Sequence, residues 1–375
     1  MSALSKTFVD IHVLQTVPPS NLNRDDTGSP KTAVYGGTRR ARVSSQAWKR
    51  VTRTQFNEAL KPEDLGVRTK HWVRLLAEQI SELEPALKPQ SADLAAKMFG
   101  TLGIKLEKKG KDDEYEQTAA LLFLSRTQLA HLARLVVAAA AAGAEVDKKE
   151  ARAAADQDHS IDLALFGRMV ADAPDLNVDA SAQVAHAISV HTVDNEFDYF
   201  TGVDDESPED SSGASMIGTI EFNSSTLYRY ATVNVDALAE SLGSADASAE
   251  AVRMFVQSFA TSMPTGKQNT FANRTLPEAI VVMVREQQPI NLVGAFEDAV
   301  VADGSGSSSR LREASRRLAE YARDVERAYS NTPTSFVVRV GAATDPLAEL
   351  GTEVGLEELG TELARVVKSR PETPK

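Results

Sequence analysis

The residues with the clearest chemistry form a basic run near the N-terminus. Between Gly36 and Arg53 the sequence has six Lys or Arg side chains and no acid. From Thr27 to Asn57 the count is seven basic residues against no acidic one, whereas the whole chain carries a formal charge of -12. Closely spaced cations bind a phosphate backbone because they displace its condensed counterions. The run therefore indicates an anion or nucleic-acid site in an otherwise acidic chain.

A predicted helix from about Ser45 to Leu60 positions part of this charge. Ser44 and Ser45 suit its N-cap, and a helix N-terminus offers free N–H groups to anions. Helical spacing separates a polar, mostly cationic face from an apolar one. The cationic face comprises Gln46, Lys49, Arg50 and Arg53. The core face comprises Trp48, Val51, Thr52 and Ala59, with Phe56 at its edge. Gly36-Gly37 would let the backbone approach a ligand closely. The alternative interpretation of the cationic residues is a charged face that is exposed to solvent and binds nothing.

The remaining segments predict an α+β fold. Strands are expected at Thr7 to Val17, Ile161 to Val170, Thr219 to Val235, Ala279 to Arg285 and Ser335 to Val340. Further helices are expected at Ala180 to Val190 and at Ala249 to Met263, with Ser248 as the cap of the second. With insertions set aside, the order strand, helix, strand, strand, helix, strand is that of the ferredoxin-like, RRM-type fold. Such sheets commonly bind RNA.

Two insertions interrupt this core. Residues 62–158 are rich in alanine and predict a helical subdomain. Residues 194–218 are acidic and rich in glycine and serine, which indicates an exposed loop or long hairpin. The core then comprises residues 1–61, 159–193 and 219–375.

The composition excludes several classes of protein. The 375 residues include no cysteine, which rules out disulfides, thiolate zinc sites and a cysteine nucleophile. The N-terminus lacks the apolar core of a signal peptide. No apolar run reaches the roughly 18 residues of a membrane span. We expect a cytoplasmic protein that has no membrane partner.

Catalytic patterns are weak. His186 and His191 are five residues apart, which does not place two ligands on one helical face, so we expect core or capping roles rather than a metal site. Four acids could hold magnesium for RNA cleavage, although a solubilising acidic loop is the simpler interpretation. These acids are Asp194, Asp198, Asp204 and Asp205. Nucleotide-binding glycine motifs and a nucleophile elbow are absent from the sequence. We predict a protein that is not an enzyme and needs no cofactor.

Several longer segments share a resemblance. They are NLNRDDTGSPKTAVYGGTRRARVSSQAWKR, DLALFGRMVAD, AHAISVHTVDNEFDYFTGVDD, EFNSSTLYRYATVNV and PTGKQNTFAN. In this order they resemble the CasC family, the backbone subunit of the type I-E CRISPR Cascade complex. The resemblance runs from about Phe8 to Val284.

This resemblance implies a hand-shaped, non-catalytic subunit that multimerises along one CRISPR guide RNA. The ferredoxin-like core would be the palm, residues 62–158 the fingers and residues 194–218 the thumb. The thumb would reach toward the next copy and kink the guide at intervals, so that the guide can pair with target DNA. Further partners would be the large and small Cascade subunits and those at the 5' and 3' ends of the guide. The alternative is a related backbone subunit that cleaves target RNA with thumb aspartates.

The resemblance also implies an RNA site. Phosphates would be held by Arg24, Arg39, Arg40, Arg42, Ser44, Ser45, Gln46, Lys49 and Arg50, with Arg168 and Lys267 as further candidates. Phe200 and Thr201 would lie at the base of the thumb, and Met169 on the palm opposite. Exposed apolar side chains beside a basic track can stack on bases or wedge between them.

Overall fold

The computed structural model describes residues 6–108, 114–202, 216–301 and 309–369. Within them the chain divides into two compact units. The first comprises Met1–Thr52, Val184–Thr232 and Arg253–Val366, and the second comprises Arg53–Gln183, Val233–Val252 and Val367–Lys375.

The strands and helices follow one another in a mixed order. The strands are β1 Thr7–Ser20, β2 Thr32–Tyr35, β3 Thr38–Val43, β4 Gly66–Thr69, β5 Leu106–Glu107, β6 Gln117–Thr118, β7 Leu122–Ser125, β8 Ala182–Val184, β9 Ala187–Ser189, β10 Glu196–Gly202, β11 Met216–Asn234, β12 Ala279–Glu286, β13 Thr334–Arg339 and β14 Thr352–Glu353. The helices are α1 Ser45–Ala59, α2 Trp72–Leu83, α3 Ser91–Thr101, α4 Arg126–Ala141, α5 Lys148–Ala155, α6 Ile161–Phe166, α7 Val235–Leu242, α8 Ala245–Thr261, α9 Gln268–Phe271, α10 Arg310–Tyr329 and α11 Leu356–Lys368.

A large sheet has the order β14-β13-β12-β1-β11-β9-β3-β2. Its central strands β12-β1-β11-β9 are the fourth, first, third and second strands of a ferredoxin-like unit. In chain order α1 follows the first of these strands, and α8 separates the third from the fourth. β1 pairs antiparallel with β12 from Thr7↔Glu286 to Leu14↔Ala279. The α+β, ferredoxin-like prediction is therefore confirmed.

The second strand of that unit lies elsewhere than predicted. Residues 161–170 begin with helix α6 rather than a strand, and the expected helix at 180–190 is instead β8 and β9. The helix follows Ser160, a common cap residue, and ends at Gly167, whose positive φ of 74° suits a helix C-terminus. Both predictions were wrong because short apolar runs fit a buried helix or a buried strand equally well.

Helices α1 and α8 meet through large side chains of the first unit. The indole of Trp48 packs edge-on against Phe259, with ring centroids 6.3 Å apart. Arg229 of β11 is buried against both rings. Its Cζ lies 3.7 Å from the ring centroid of Trp48 and 4.4 Å from that of Phe259. Trp48 is fully buried as predicted, and so is Phe56, whereas Ala59 is exposed. The expected core face therefore holds at its start and not at its end.

The cap of α8 also differs from the prediction. Ser248 lies inside the helix, which begins at Ala245. Ser244 is the cap residue, because its Oγ accepts from the Ala247 N–H at 3.3 Å.

Helix α10 covers another part of the sheet in the first unit. Leu318 and Ala322 of the helix pack in one cluster with Met283 of β12 and Val337 of β13. The helix begins after Ser309, whose side chain accepts from the Arg312 N–H.

The second unit has a helical core of its own. Trp72, Leu76 and Ile80 of α2 pack with Phe99 of α3 and Leu132 of α4. The indole N–H of Trp72 donates to the Leu122 carbonyl at 3.0 Å, so this buried polar group is satisfied. Helix α4 starts with a capping box between Ser125 and Gln128.

Candidate nucleic-acid interface

Strands β2 and β3 form a tight hairpin that carries the first part of the basic run. Gly36 and Gly37 close it, with φ values of 55° and 73°. Positive φ at both central residues defines a type I′ turn, which favours glycine. A Cβ at Gly36 would overlap the carbonyl of Glu297. The close approach that Gly36 permits is therefore to the chain's own backbone, and not to a ligand as the sequence had indicated.

Arg40 anchors this hairpin from the inside. Its side chain has no exposed surface. The guanidinium donates to the carbonyls of Ser189 at 3.0 Å, Phe296 at 3.0 Å and Glu297 at 2.9 Å, and its Nε donates to Thr38 Oγ1 at 2.8 Å. Burial lowers the pKa of Arg40. The prediction that Arg40 holds a phosphate is wrong, because its side chain is buried and makes four hydrogen bonds to oxygens of the protein itself.

The neighbouring arginines of β3 remain near the surface. Arg39 is exposed, and its main chain is fixed because its carbonyl accepts from the Val193 N–H at 3.0 Å. Arg42 is half-buried, with Nε donating to the Thr32 carbonyl at 3.1 Å. Its Nη1 lies 3.2 Å from Nδ1 of His186. Arg39 is therefore held through its main chain and Arg42 through its Nε, and both side chains are accessible to solvent.

The N-terminus of α1 is tied to the preceding loop. Ser44 caps the helix, because its Oγ accepts from the Ala47 N–H at 3.3 Å. The Ser44 N–H in turn donates to Asn23 Oδ1 at 2.9 Å. Ser44 is thus buried in its capping role, as predicted for the cap. The other predicted residues of this helix are exposed or half-buried, namely Ser45, Gln46, Lys49 and Arg50.

Arg24 and Lys267 lie in two loops of the first unit that touch. A Cβ at Gly266 would overlap the carbonyls of Asn21 and Leu22, so only glycine permits this contact. A cleft of ≈ 530 Å³ is lined by residues 22–28 and Gly266, with Arg24 among them. Arg24 is exposed and Lys267 is half-buried. The structure thus brings two predicted cations from distant parts of the sequence onto adjoining loops.

Strands β10 and β11 form the predicted hairpin in this same unit. Phe200 pairs with Gly218, and Thr201 with Ile217. The Phe200 ring covers Gly218 so closely that a Cβ there would overlap it. Thr201 is exposed on the opposite face. The tip, with Asp204 and Asp205, lies outside the described residues.

The base of the hairpin contacts both loops. Phe222 of β11 lies against Phe271 of α9, with ring centroids 5.7 Å apart. Asn21 Nδ2 donates to the Glu221 carbonyl at 2.9 Å. The hairpin is therefore fixed at its base to the loops that carry Arg24 and Lys267.

Arg168 and Met169 belong to the second unit. Arg168 is buried and donates to the carbonyls of Leu176 at 2.5 Å and Ala155 at 3.1 Å, and to Asp156 Oδ1 at 3.2 Å. Burial lowers its pKa to about 10. The prediction of a phosphate contact at Arg168 is wrong for the same reason as at Arg40. Met169 is 83% exposed, so it is available to a ligand.

The acidic residues do not form a described metal site. Within residues 6–108, 114–202, 216–301 and 309–369, no group of three or more His, Asp or Glu side chains could hold a metal ion. Asp194 and Asp198 are both exposed. In the same described ranges, no helix combines the length and the apolar character that crossing a membrane requires.

Sequence reasoning missed the structural roles of two residues beside the basic run. Asn23 fixes the N-terminus of α1, and His186 contacts Arg42. Asparagine is a common cap and turn residue, which is a weak signal for Asn23. The core or capping role expected for His186 was wrong, because His186 is exposed in the link between β8 and β9 and does not lie on the predicted helix.

Comparisons with known proteins place this chain. A family model described as CT1975-like protein matches residues 9–362. One solved chain, titled "CRISPR RNA-guided surveillance complex, pre-nicking", is 36% identical with a TM-score of 0.82, over 96% of this chain and 100% of that one. Another, titled "CRISPR RNA-guided surveillance complex", is 31% identical with a TM-score of 0.70, over 96% and 99%. A search of curated proteins found no match.

The fold and the exposed cations define an α+β protein with a ferredoxin-like core and a basic surface on an acidic chain. The chain belongs to the CT1975-like protein family, and the resemblance to the CasC family of Cascade backbone subunits is thereby confirmed.

Proposed function

We propose that this protein is a non-catalytic backbone subunit that binds a CRISPR guide RNA in a type I-E Cascade complex. The observation that carries the proposal is that adjoining segments of the first unit carry exposed or half-buried cations. They come from the loop before β2, from β3, from the start of α1 and from the loop before α9. Hydrogen bonds of Asn23 and Arg40 and the close contact at Gly266 hold these segments in place.

The chemistry of this basic surface fits a phosphate backbone. We define it as Arg24, Lys31, Arg39, Arg42, Lys49, Arg50 and Lys267. Cations that reach phosphates fix the position of a nucleic acid without reading its sequence. A guide-binding subunit must accept any guide sequence, because sequence recognition is left to base pairing between guide and target. A surface of arginines and lysines supplies affinity of that kind.

The β10–β11 hairpin is the proposed thumb. Phe200 and Thr201 lie on its two faces, and its base is fixed to the loops of the basic surface. We propose that Phe200 packs against a guide base and interrupts stacking. Met169 of the second unit is a separate candidate contact to RNA, because its side chain is 83% exposed. The proposal also includes what the resemblance to the CasC family implies. These features are periodic kinking of the guide, a helical multimer and further partners. Those partners are target DNA and the other Cascade subunits.

Sequence-independent binding tests the proposal. Two single-stranded RNAs of guide length and unrelated sequence would be titrated with the full-length protein at fixed salt, with fluorescence anisotropy as the readout. We expect equal dissociation constants, within about twofold, and a steep loss of affinity with added salt. A strong preference for one sequence, or binding that ignores salt, would contradict phosphate recognition.

A further inference from the structure

His186 extends the basic surface in a way that its residue type alone does not reveal. It lies in the two-residue link between β8 and β9, and its side chain is exposed. Its Nδ1 is 3.2 Å from Nη1 of Arg42. Lys31 is close by, because the main-chain N–H of Arg42 donates to the Lys31 carbonyl at 2.9 Å. Three nitrogen side chains thus share one patch of the first unit.

The contact with Arg42 indicates which tautomer of His186 is favoured. A guanidinium group only donates hydrogen bonds, so Nδ1 of His186 must be the acceptor. The imidazole is then neutral, with its proton on Nε2. One N–H of Arg42 is occupied by the imidazole in this state.

The electrostatics agree with a neutral ring. Partial desolvation lowers the pKa of His186, and the charges of Arg42 on β3 and Lys31 just before β2 lower it further. A bound phosphate would reverse this field, because a nearby negative charge favours the imidazolium form.

From this juxtaposition we propose that His186 is a further phosphate-binding residue, which takes up a proton when RNA binds beside Arg42 and Lys31. On binding, Arg42 releases Nδ1 and turns that N–H to the phosphate, and the protonated ring donates a second hydrogen bond to it. No covalent bond changes, and the proton comes from solvent. The inference rests on the proposed guide-RNA function and adds to it a dependence of affinity on pH.

The direction of that dependence follows from linkage. His186 of the free protein titrates below the ordinary value of 6.5, and in the complex it would titrate higher. Between the two values the complex holds more protons, so affinity rises as pH falls. One histidine gives at most about a tenfold change per pH unit.

Anisotropy titrations with a guide-length single-stranded RNA would measure this effect from pH 6.0 to 8.5 at constant ionic strength. The full-length protein should bind about three- to tenfold more tightly at pH 6 than at pH 8. His186→Gln should abolish this change, because glutamine takes up no proton in this pH range. His71→Gln, which removes an exposed histidine of the second unit, is the matched control and should keep the full pH effect.

NMR of the histidine rings gives a second readout on the unaltered protein. The His186 signal, assigned by its loss in His186→Gln, should titrate below pH 6.5 in the free protein and about one unit or more higher with RNA. A titration midpoint that RNA leaves unchanged, or a His186→Gln variant that keeps the pH effect, would overturn the inference while leaving RNA binding intact. Failure of the unaltered protein to bind RNA at any pH would instead overturn the proposed function, and this inference with it.

Discussion

The basic run of the first unit and the segment around Arg168 in the second unit use arginine differently. On β3, Arg40 is buried as an anchor while Arg39 and Arg42 on either side stay near solvent. At Arg168 the arginine is buried, and the neighbour it leaves at the surface is the apolar Met169. Arginine in a predicted nucleic-acid site therefore has two roles. The buried arginine holds the main chain, and the exposed side chains beside it are the ones that we propose to contact RNA.

The largest expected effect separates these roles by stability. Arg40→Met should lower the free energy of unfolding by about 3 kcal/mol or more, because the carbonyls of Ser189, Phe296 and Glu297 lose their donors in the interior. Urea unfolding followed by circular dichroism measures this loss. Arg168→Met in the second unit should lower the free energy of unfolding by a similar amount. Arg39→Ala, the matched exposed control, should stay within about 0.5 kcal/mol of the unaltered protein. If the Arg40 and Arg39 variants had equal free energies of unfolding, the distinction between a buried structural arginine and an exposed one would be wrong.

The next effect concerns RNA affinity. Changing Arg39 and Arg42 together to alanine should weaken binding of any RNA by about tenfold or more at low salt, because two phosphate contacts are lost. The slope of log affinity against log salt should become shallower by about 1.4, since each contact to a single strand contributes about 0.7. Arg323→Ala with Arg327→Ala on α10 is the matched control and should leave both quantities unchanged. A loss confined to one RNA sequence would count against phosphate binding.

A smaller effect tests how the hairpin presents Phe200. Gly218→Val should displace the Phe200 ring, because the new side chain would occupy the space that the ring fills. Phe200→Ala removes the same ring. If the ring acts on the guide, each change should weaken binding by several-fold, in line with about 1–3 kcal/mol for a stacked base. The double variant should be no weaker than either single one. Additive losses would show that Gly218 acts independently of the ring.

The smallest expected change is at Lys267. This residue has a positive φ of 51°, which glycine adopts without strain. Lys267→Gly should therefore weaken RNA binding about two- to fivefold through the lost charge, without lowering the thermal unfolding midpoint. Lys267→Ala should weaken binding equally and leave that midpoint near its original value, because alanine bears the same strain at positive φ as lysine. A drop in stability for the glycine variant alone would refute this separation of charge from main-chain strain.

The long elements and the basic surface could be predicted from the sequence, and the second strand could not. The alternating pattern from Thr7 and the amphipathic α1 carry enough residues for their periods to be read. Residues 161–166 and 187–189 are too short for that, so α6 and β9 were assigned to each other's type. Ser160, a residue type common at helix N-termini, and the glycine at 167 were signals for a helix that the apolar pattern outweighed.

The division of the arginines could not be predicted either. Burial of Arg40 depends on carbonyls of residues 189, 296 and 297, which are distant in sequence. Burial of Arg168 likewise depends on how residues 155 and 176 fold around it. A count of charged residues along the sequence cannot distinguish a buried arginine that holds the main chain from an exposed arginine that can bind phosphate. The family resemblance implied phosphate contacts at Arg24 and Lys267, but the contact between their loops depends on Gly266 and could not be predicted.

The RNA that copurifies with the protein tests the central claim most directly. The chain would be expressed together with a CRISPR array and its neighbouring genes, purified, and its bound RNA extracted, sized and sequenced. We predict RNA of one defined length that carries the array's spacers, and its loss when Arg39 and Arg42 are both alanine. Host RNA of random sequence, or no RNA at all, would contradict the assignment of this surface to a guide RNA.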